Sequence, residues 1–377
     1  MLFAVFGFIL SLALALANGE PLKYSSDHFE AWMDNHGKDY NDDKSEYEQR
    51  FQNFLMNSKV VENHNQAYEK GYTSYAMSLM KSPFADLTDA EFEASHLMAW
   101  QNCSATTHPS SGPMTSDIEL PKHVDWRTKG IITPIKNQKM CGSCWTFSTS
   151  GCLEAHTCLN NPDLDCTTWT GLAEQQLLDC AGDFDNHGCN GGLPSHAFEY
   201  IKYAGGMDSE QEYPYLAKEN DSCQLSPLGF AAEVAQIYNI TSGDEDDLTT
   251  AIAAAGPVSV AYQVSPDFRF YSHGVYDSFN ATTNHTMCKS DAMSVNHAVV
   301  AVGYGETEAA KDKSSVPYYI IRNSWSTSWG MEGYFWIKRG ENLCGISDCA
   351  SYPIVPRASK NQDGVLDVQT SRLRKKA

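Results

Sequence analysis

The spacing of apolar residues divides the 377-residue chain into an apolar leader, a helical N-terminal part and a strand-rich second half. Residues 2–17 form one apolar run that ends in Ala15-Leu16-Ala17, the small-x-small pattern that signal peptidase cuts. We therefore predict a signal peptide over residues 1–17. The alternative is an uncleaved membrane anchor, for which the run is short because a helix needs roughly 20 apolar residues to span a bilayer.

Two amphipathic helices are predicted in the next part of the chain. The face of the first, at the period of a helix, consists of Phe29, Trp32, Met33 and His36. The second follows alternating steps of four and three residues once Ser58 and Asn65 fill two gaps, and its apolar members are Tyr47, Phe51, Phe54, Val61 and Tyr68. These patterns predict a helical N-terminal unit that is separate from everything downstream.

Residues 101–119 are rich in Ser, Thr, Pro and Gly, which predicts an exposed linker. The pattern of apolar residues changes after this linker. Beyond the linker, Cys144–Leu159 has a helical pattern. Three short apolar runs bounded by turn residues are typical of strands, at 296–305, 317–325 and 333–340. Helices followed by strands predict an α+β fold with a cleft between two lobes. The tail at 357–377 has little to bury, so we expect it to be disordered.

Composition restricts the partners and the compartment. The chain has 47 acidic and 27 basic residues, and its net charge of −20 argues against nucleic acid, which needs a basic stripe. Such an acidic surface suits an acidic compartment. Twelve cysteines behind a signal peptide indicate disulfides formed in an oxidising lumen. Five sequons agree with this route and predict glycosylation at Asn102, Asn220, Asn239, Asn280 and Asn284.

The run Cys141-Gly142-Ser143-Cys144-Trp145 is the most informative motif. A Cys-x-x-Cys pair is compatible with a zinc site or a redox dithiol, as well as with a nucleophile. Zinc would need a second ligand pair at short spacing, and a redox motif would follow a strand rather than a loop rich in Gly, Asn and Gln. Cys144 instead opens a predicted helix, where free amides and the helix dipole stabilise a thiolate. We predict that it is a nucleophile, with no metal and no cofactor.

Four other residues complete the chemistry of a thiol nucleophile. His297 opens a predicted strand and is the candidate acid/base, although a lone histidine there would more often be structural. Asn323 ends the next strand, where its amide oxygen could accept from the imidazole while Trp325 shields that bond from water. Gln138 precedes Cys144 by six residues, so its amide could join the Cys144 backbone N–H in an oxyanion hole.

The Cys-Gly-Ser-Cys-Trp run resembles the signature of the papain-like cysteine peptidases, and the resemblance extends over about residues 25–356. It implies a two-lobed fold, with a helical left lobe and a β-barrel-like right lobe. The catalytic roles argued above then belong to Gln138, Cys144, His297 and Asn323. The resemblance also implies that the backbone of Gly191 and Gly192 binds the acyl side of the scissile bond.

The N-terminal helices resemble the inhibitory propeptide of that family, through Glu46, Arg50, Phe54, Asn57, Val61 and Asn65. Family propeptides lie backwards along the cleft and keep it shut. The implied organisation is a signal peptide at 1–17, a helical propeptide and linker at 18–119, a peptidase domain at 120–356 and a disordered tail at 357–377.

The hexapeptide from Gln101 to Thr106 resembles the mini-chain of the cathepsin H branch, a propeptide fragment that a disulfide retains after processing. We expect a mini-chain at about residues 99–106. A cut after Thr106 would create a carboxylate that binds the free ammonium group of a substrate.

The resemblance also pairs eight of the twelve cysteines and leaves Cys144 free for chemistry. The implied disulfides are Cys141–Cys189, Cys180–Cys223, Cys288–Cys344 and Cys103–Cys349. A bridge from Cys158 to Cys166 would leave Cys152 as a buried thiol, and the pairing of these three stays open.

These features predict the zymogen of a lysosomal-type thiol peptidase, an aminopeptidase with limited endopeptidase activity. One alternative is an endopeptidase of the cathepsin L kind. A non-catalytic binding protein on the same fold would have lost Cys144 or His297, and both are present. The expected partners are peptide and protein substrates, the chain's own propeptide as inhibitor and cystatin-like inhibitors. We expect a monomer without a membrane span, in the lysosome or secreted.

Overall fold

The computed structural model describes residues 23–40, 42–101, 103, 119–225, 229–280, 283, 285–308 and 314–356, and the backbone of 359–360 and 366–367. The predicted signal peptide, Asn102, Asn284 and Thr106 lie outside these residues. In the C-terminal tail, the backbone of Ser359–Lys360 pairs antiparallel with Leu366–Asp367. The rest of the tail is outside the described residues, so its disorder stays a prediction.

Among the described residues of the N-terminal part there are three helices: α1 (Ser26–His36), α2 (Lys44–Glu69) and α3 (Asp89–His96). Each begins where its sequence supplies acceptors for the free amides of the first turn. Asp43 accepts from the amides of Ser45 and Glu46 at the start of α2. Thr88 and Glu91 form a reciprocal capping box at the start of α3. The N-terminal unit is therefore helical, as the apolar spacing predicts.

From residue 119 onwards, the part of the chain that the structure describes has four more α-helices: α4 (Cys144–Asn160), α5 (Glu174–Cys180), α6 (Pro194–Ala204) and α7 (Glu245–Ala254). Short 3-10 turns lie at Trp126–Lys129, Gly182–Phe184, Gly188–Asn190, Pro266–Phe270 and Leu343–Gly345. Helix α4 is buried along most of its length. The packing around the helix therefore holds its first residue, Cys144, in place.

Most of the described strands belong to the second lobe. In chain order they are β1 (Tyr75–Met77), β2 (Val124–Asp125), β3 (Gln236–Asn239), β4 (Val258–Tyr262), β5 (Tyr271–Tyr276), β6 (Phe279–Asn280), β7 (His285–Thr286), β8 (His297–Glu306), β9 (Pro317–Arg322), β10 (Tyr334–Lys338), β11 (Cys349–Ile354), β12 (Ser359–Lys360) and β13 (Leu366–Asp367). The main sheet has the order β1-β5-β10-β9-β8-β4-β11-β3, with β2 paired to β8.

The right lobe is sheet-rich, as the resemblance implies, and its described sheet is open, with β1 at one end and β3 at the other. Strand β1 belongs to the N-terminal unit, and Tyr75 pairs with Gly274 of β5. The N-terminal unit is thus joined to the later lobe by backbone hydrogen bonds as well as by side chains.

A buried cluster of charges fixes the loop that leads into α4. Lys136 Nζ lies 2.9 Å from Glu154 Oε1 and 2.7 Å from Glu174 Oε1, and it also donates to the Leu172 carbonyl. Arg322 approaches the other oxygen of Glu154 at 3.6 Å. Despite the burial, these two cations lower the pKa of Glu154 to about 2. The cluster holds together the loop, α4, α5 and β9, the elements that carry the site described below.

Two carboxyl groups meet at the edge of this cluster. Glu174 Oε2 and Glu210 Oε2 are both buried, and neither has a hydrogen-bond donor among the described residues. A proton shared between the two carboxyl groups would satisfy both oxygens. Burial, and then the charge of Glu174, raise the pKa of Glu210 to about 7. The pair therefore holds a proton at acid pH, and it becomes a repulsive contact when that proton is lost.

We predict that replacing Glu210 by Gln makes the thermal stability of the protein fall less as the pH rises towards neutrality. The folded-state pKa of Glu210 lies above its ordinary value, so its contribution to stability is complete at low pH and is lost as the pH rises through about 7. The amide introduced by Glu210→Gln would keep a donor for Glu174 at every pH. The measurement is the thermal midpoint between pH 4.5 and 8, with the exposed Glu212→Gln as the matched control. Equal pH dependence in all three proteins would contradict the shared proton.

Candidate active site

Cys144 lies at the first position of α4 and is completely buried. Its sulfur accepts from the backbone N–H of Ala298 at 3.4 Å, so the thiol is held between the helix and the start of β8. The unpaired amides of the helix N-terminus favour negative charge at this point. Helix and strand together place a thiol where a thiolate can be stabilised.

His297 is the first residue of β8, and its Nε2 lies 2.9 Å from Asn323 Oδ1. The backbone N–H of Ser324 donates to the same oxygen at 2.8 Å, which fixes the orientation of the amide because an N–H cannot donate to the NH₂ group. The imidazole must therefore carry its proton on Nε2 in the neutral state. Nδ1 has no partner among the described residues, so it is the nitrogen free to exchange a proton with the thiol.

Trp325 connects His297 to Gln138, which lies on the other side of the cleft. The indole of Trp325 covers the imidazole, with ring centroids 4.7 Å apart, and its Nε1 donates to Gln138 Oε1 at 3.2 Å. Ser324 Oγ donates to the same oxygen at 2.7 Å. Because its oxygen is held on both sides, Gln138 turns its NH₂ group towards the cleft. An oxyanion donor needs this orientation.

A segment of the N-terminal unit fills the cleft. Gln138 Nε2 donates to the His96 carbonyl at 2.9 Å, where an oxyanion would lie. Met98 N–H donates to the Asn296 carbonyl and Ala99 N–H to the Asn190 carbonyl, each at 2.9 Å. We call His96–Gln101 the blocking segment. It occupies the donors and acceptors that a substrate backbone would use.

Gly191 and Gly192 lie where the blocking segment passes. Gly191 has φ +122°, and a Cβ there would stand 2.7 Å from Met98 Cβ and from Gln101 Nε2. A Cβ on Gly192 would overlap the side chains of Asn186 and Trp145. Only glycine leaves the backbone accessible to a chain that lies this close.

The blocking segment also changes the protonation of the catalytic pair. Burial raises the pKa of Cys144 to about 12 and lowers the pKa of His297 to about 4, since both groups are wholly enclosed. Both are therefore neutral while the cleft is closed, and the helix position of Cys144 does not by itself give the thiolate expected from the sequence. Access of water to the cleft is the additional requirement for an ion pair.

The disulfides stabilise both sides of the cleft. The structure contains Cys141–Cys189, Cys180–Cys223, Cys288–Cys344, Cys103–Cys349 and Cys158–Cys166. The first four coincide with the pairs implied by the resemblance. Among the described cysteines, Cys144 and Cys152 are free, and both are buried. The partner of Cys141 is Cys189, so Cys141 and Cys144 do not form a dithiol pair.

Three sequon asparagines fall within the described residues. Asn220 donates from Nδ2 to Asp179 Oδ2 at 2.7 Å. Asn239 ends β3, and Asn280 ends β6. Glycosylation at these positions stays a prediction. In the part of the chain that the structure covers, every helix is too short or too polar to cross a bilayer.

Sequence reasoning missed the groups that hold the catalytic residues in place. The Ser324 hydroxyl and the ion pairs of Lys136 are examples, and the carbonyl of His96 is another. A serine next to Asn323 was a visible signal. A backbone carbonyl supplied by a distant segment has no sequence signature.

A buried thiol, an oriented imidazole and a cleft that the chain's own N-terminal unit closes define a cysteine peptidase zymogen. Residues 120–354 match the papain family cysteine protease, and residues 29–92 match the cathepsin propeptide inhibitor domain. The chain therefore belongs to the papain family of cysteine peptidases, and its N-terminal unit is an inhibitory propeptide.

Relatives and solved structures agree with this assignment. Pro-cathepsin H of Bos taurus is 43% identical over 329 residues, which cover 87% of this chain and 89% of that protein. Pro-cathepsin H of Medicago truncatula is 45% identical and covers 87% and 85%. The structure of digestive procathepsin L 3 of the Tenebrio molitor larval midgut has a TM-score of 0.72 at 32% identity and covers 87% of this chain and 98% of that one.

We predict that Asn323→Ala lowers kcat/KM of the processed enzyme by about 10- to 1000-fold, and that His297→Ala lowers it further. Asn323 orients the imidazole without exchanging a proton. Its hydrogen bond also raises the pKa of His297, so its loss should move the alkaline limb of the pH profile to lower pH. Rates on a fluorogenic peptide between pH 4 and 8 test both effects. Equal losses at the two positions would contradict the assigned roles.

Proposed function

We propose that the processed enzyme is an aminopeptidase with limited endopeptidase activity, which acts in an acidic lysosomal compartment or after secretion. The observation that carries the proposal is the Cys103–Cys349 disulfide, which ties the linker to β11 directly after the blocking segment. A fragment that contains Cys103 would stay covalently attached after the propeptide is cut away.

Such a fragment would lie on the acyl side of the cleft. Met98 and Gln101 approach Gly191 closely, and Gln101 is buried. A substrate that extends far on the acyl side of the scissile bond would meet the fragment, whereas one that begins near this bond would not. The geometry therefore favours removal of residues from a free N-terminus. If processing cuts after Thr106, the new carboxylate would also attract the substrate ammonium group.

The chemical step follows from the residues already described. Once water enters the cleft, Cys144 transfers its proton to His297 Nδ1 and its sulfur attacks the substrate carbonyl carbon. The amide of Gln138 and the Cys144 N–H stabilise the oxyanion. The imidazolium protonates the leaving amine, and a thioester remains. Water then releases the acyl group, with His297 as base.

An acidic compartment is favoured by the net charge of −20 and by the carboxyl pair Glu174 and Glu210, which keeps its proton at acid pH. The predicted signal peptide and sequons point to the same route. We further propose that the enzyme is monomeric and that cystatin-like proteins inhibit it through the open cleft.

The competing function is that of an endopeptidase, since the catalytic residues serve either activity. The similarity to a procathepsin L structure supports this alternative. The two functions differ in what covers the acyl side of the mature cleft.

We predict that Cys103→Ser loses the fragment on maturation, gains cleavage inside N-terminally blocked peptides and weakens on substrates with a free N-terminus. The measurements are the masses of the mature chains before and after reduction, and the ratio of blocked-peptide to free-amine cleavage. The matched control is the double variant Cys158→Ser with Cys166→Ser, which removes a disulfide that packs against Ile131 and Ala155. An unchanged ratio in Cys103→Ser would favour the endopeptidase.

A further inference from the structure

We propose that Arg269 of the peptidase domain is a binding site for a carboxylate on the leaving-group side of the substrate, and that Asp89 of the propeptide occupies this site in the zymogen. The proposal rests on propeptide release, which the proposed function requires. It adds a substrate class: peptides with a carboxylate a few residues beyond the scissile bond.

Arg269 is buried, with only 1% of its side chain exposed, and its side chain makes several contacts with the propeptide. Nη2 lies 2.7 Å from Asp89 Oδ1 and also donates to Asn57 Oδ1 at 3.1 Å. The guanidinium lies 5.6 Å from the ring centroid of Phe92. These three partners leave together when the propeptide is released, and a cation without these partners remains.

The peptidase domain fixes the position of Arg269 independently of the propeptide. The Arg269 carbonyl accepts from Trp329 Nε1 at 3.0 Å, and the guanidinium lies 4.3 Å from the ring centroid of Phe270. Nη1 donates to the Pro266 carbonyl. Arg269 is thus held at its backbone and through Nη1, while the Nη2 side of its guanidinium group faces the propeptide.

That side of the guanidinium group is the one suited to a carboxylate. Arg269 Nε is buried and has no acceptor among the described residues, and the neighbouring Nη2 is the atom bound to Asp89. Nε and Nη2 form one edge of the guanidinium fork, which binds both oxygens of a carboxylate in parallel. In the zymogen only half of this edge is used. Asp267, the acidic neighbour within the domain, is already bound to Ser265 Oγ at 2.6 Å.

The site lies on the leaving-group side of the catalytic pair. Phe92, which lies next to Arg269, packs against Trp325 with ring centroids 5.5 Å apart, and Trp325 covers His297. Gly191 and the acyl side are contacted instead by the blocking segment beyond His96. Arg269 therefore faces the part of a substrate that departs first.

Helix α3 sets the distance from the scissile bond. From Asp89 to His96 it rises about 10 Å at roughly 1.5 Å per residue. An extended substrate covers that distance in about three residues at roughly 3.3 Å each. We therefore expect the preferred carboxylate on the second or third residue after the scissile bond. It could belong to an Asp or Glu side chain or to the free C-terminus of a short peptide.

The test is a panel of fluorogenic peptides at pH 6 and low salt, in which Glu or Gln stands at each of the first three positions after the scissile bond and the C-terminus is amidated. A second arm compares neutral short peptides with free and amidated C-termini. Each peptide is made with a free and with a blocked N-terminus. Active enzyme is counted by titration with a covalent thiol reagent, so that a misfolded fraction does not enter kcat/KM.

We expect wild-type enzyme to prefer Glu over Gln about 10-fold at the second or third position, since a charge-assisted fork contact is stronger than a neutral one. Arg269→Gln should bring this ratio to about one, and Arg269→Lys should keep part of it. Asp89→Asn is the matched control, because the mature enzyme lacks this residue and its ratio should equal that of wild type. A preference for free over amidated C-termini would identify the terminal carboxylate as the ligand.

Equal Glu to Gln ratios in wild type and Arg269→Gln, with no preference for a free C-terminus, would overturn the proposal. If Arg269→Gln fails to mature, the wild-type ratio is measured between 20 mM and 500 mM NaCl, where a charge contact weakens with salt and a ratio independent of salt overturns the site. The failure of the aminopeptidase assignment would appear separately, as equal cleavage of free and blocked N-termini.

Discussion

The structure of the zymogen depends on one constraint, which is the exclusion of water from Cys144 and His297 by the propeptide. A helix N-terminus favours a thiolate, yet burial outweighs it here and keeps both groups neutral. The blocking segment therefore inhibits in two ways, since it fills the position of the oxyanion through the His96 carbonyl and it also removes the charge from the nucleophile. Both effects end when water enters the cleft.

How much of the fold could be predicted depends on the range of the interactions involved. Helices α1, α2 and α4 and strands β8 to β10 follow from local apolar spacing, which reports the buried face of each element. Strand β1 does not, because three residues carry little pattern and its partner, Gly274, lies about 200 positions away along the chain. The order of the strands in the open sheet is likewise a property of long-range pairing, so local spacing predicts the strands but not their order.

The candidate catalytic residues Cys144, His297 and Asn323 lie at or next to the ends of elements that local apolar spacing predicts, so the sequence could point to them. The charges beneath them could not be identified in this way, since a glutamate or lysine in a sequence is usually at the surface. Glu154 and Glu174 are fully enclosed, and each is held there by Lys136. Burial of any one of these charged groups without its partners would be costly. Only the assembled cluster explains why the residues are tolerated in the interior.

The two sides of the cleft respond differently to propeptide release. On the acyl side, the Cys103–Cys349 bond would keep the proposed fragment next to Gly191, where it would restrict the substrate. On the leaving-group side, no disulfide among the described residues holds α3, and its departure uncovers the free edge of Arg269. The ion pair that stabilises the bound propeptide joins Asp89 to Arg269. When Asp89 leaves, the hydrogen bond from Trp329 to the Arg269 carbonyl still holds Arg269 in position. One release event can therefore convert an inhibitory ion pair into a substrate contact without any rearrangement of the peptidase domain.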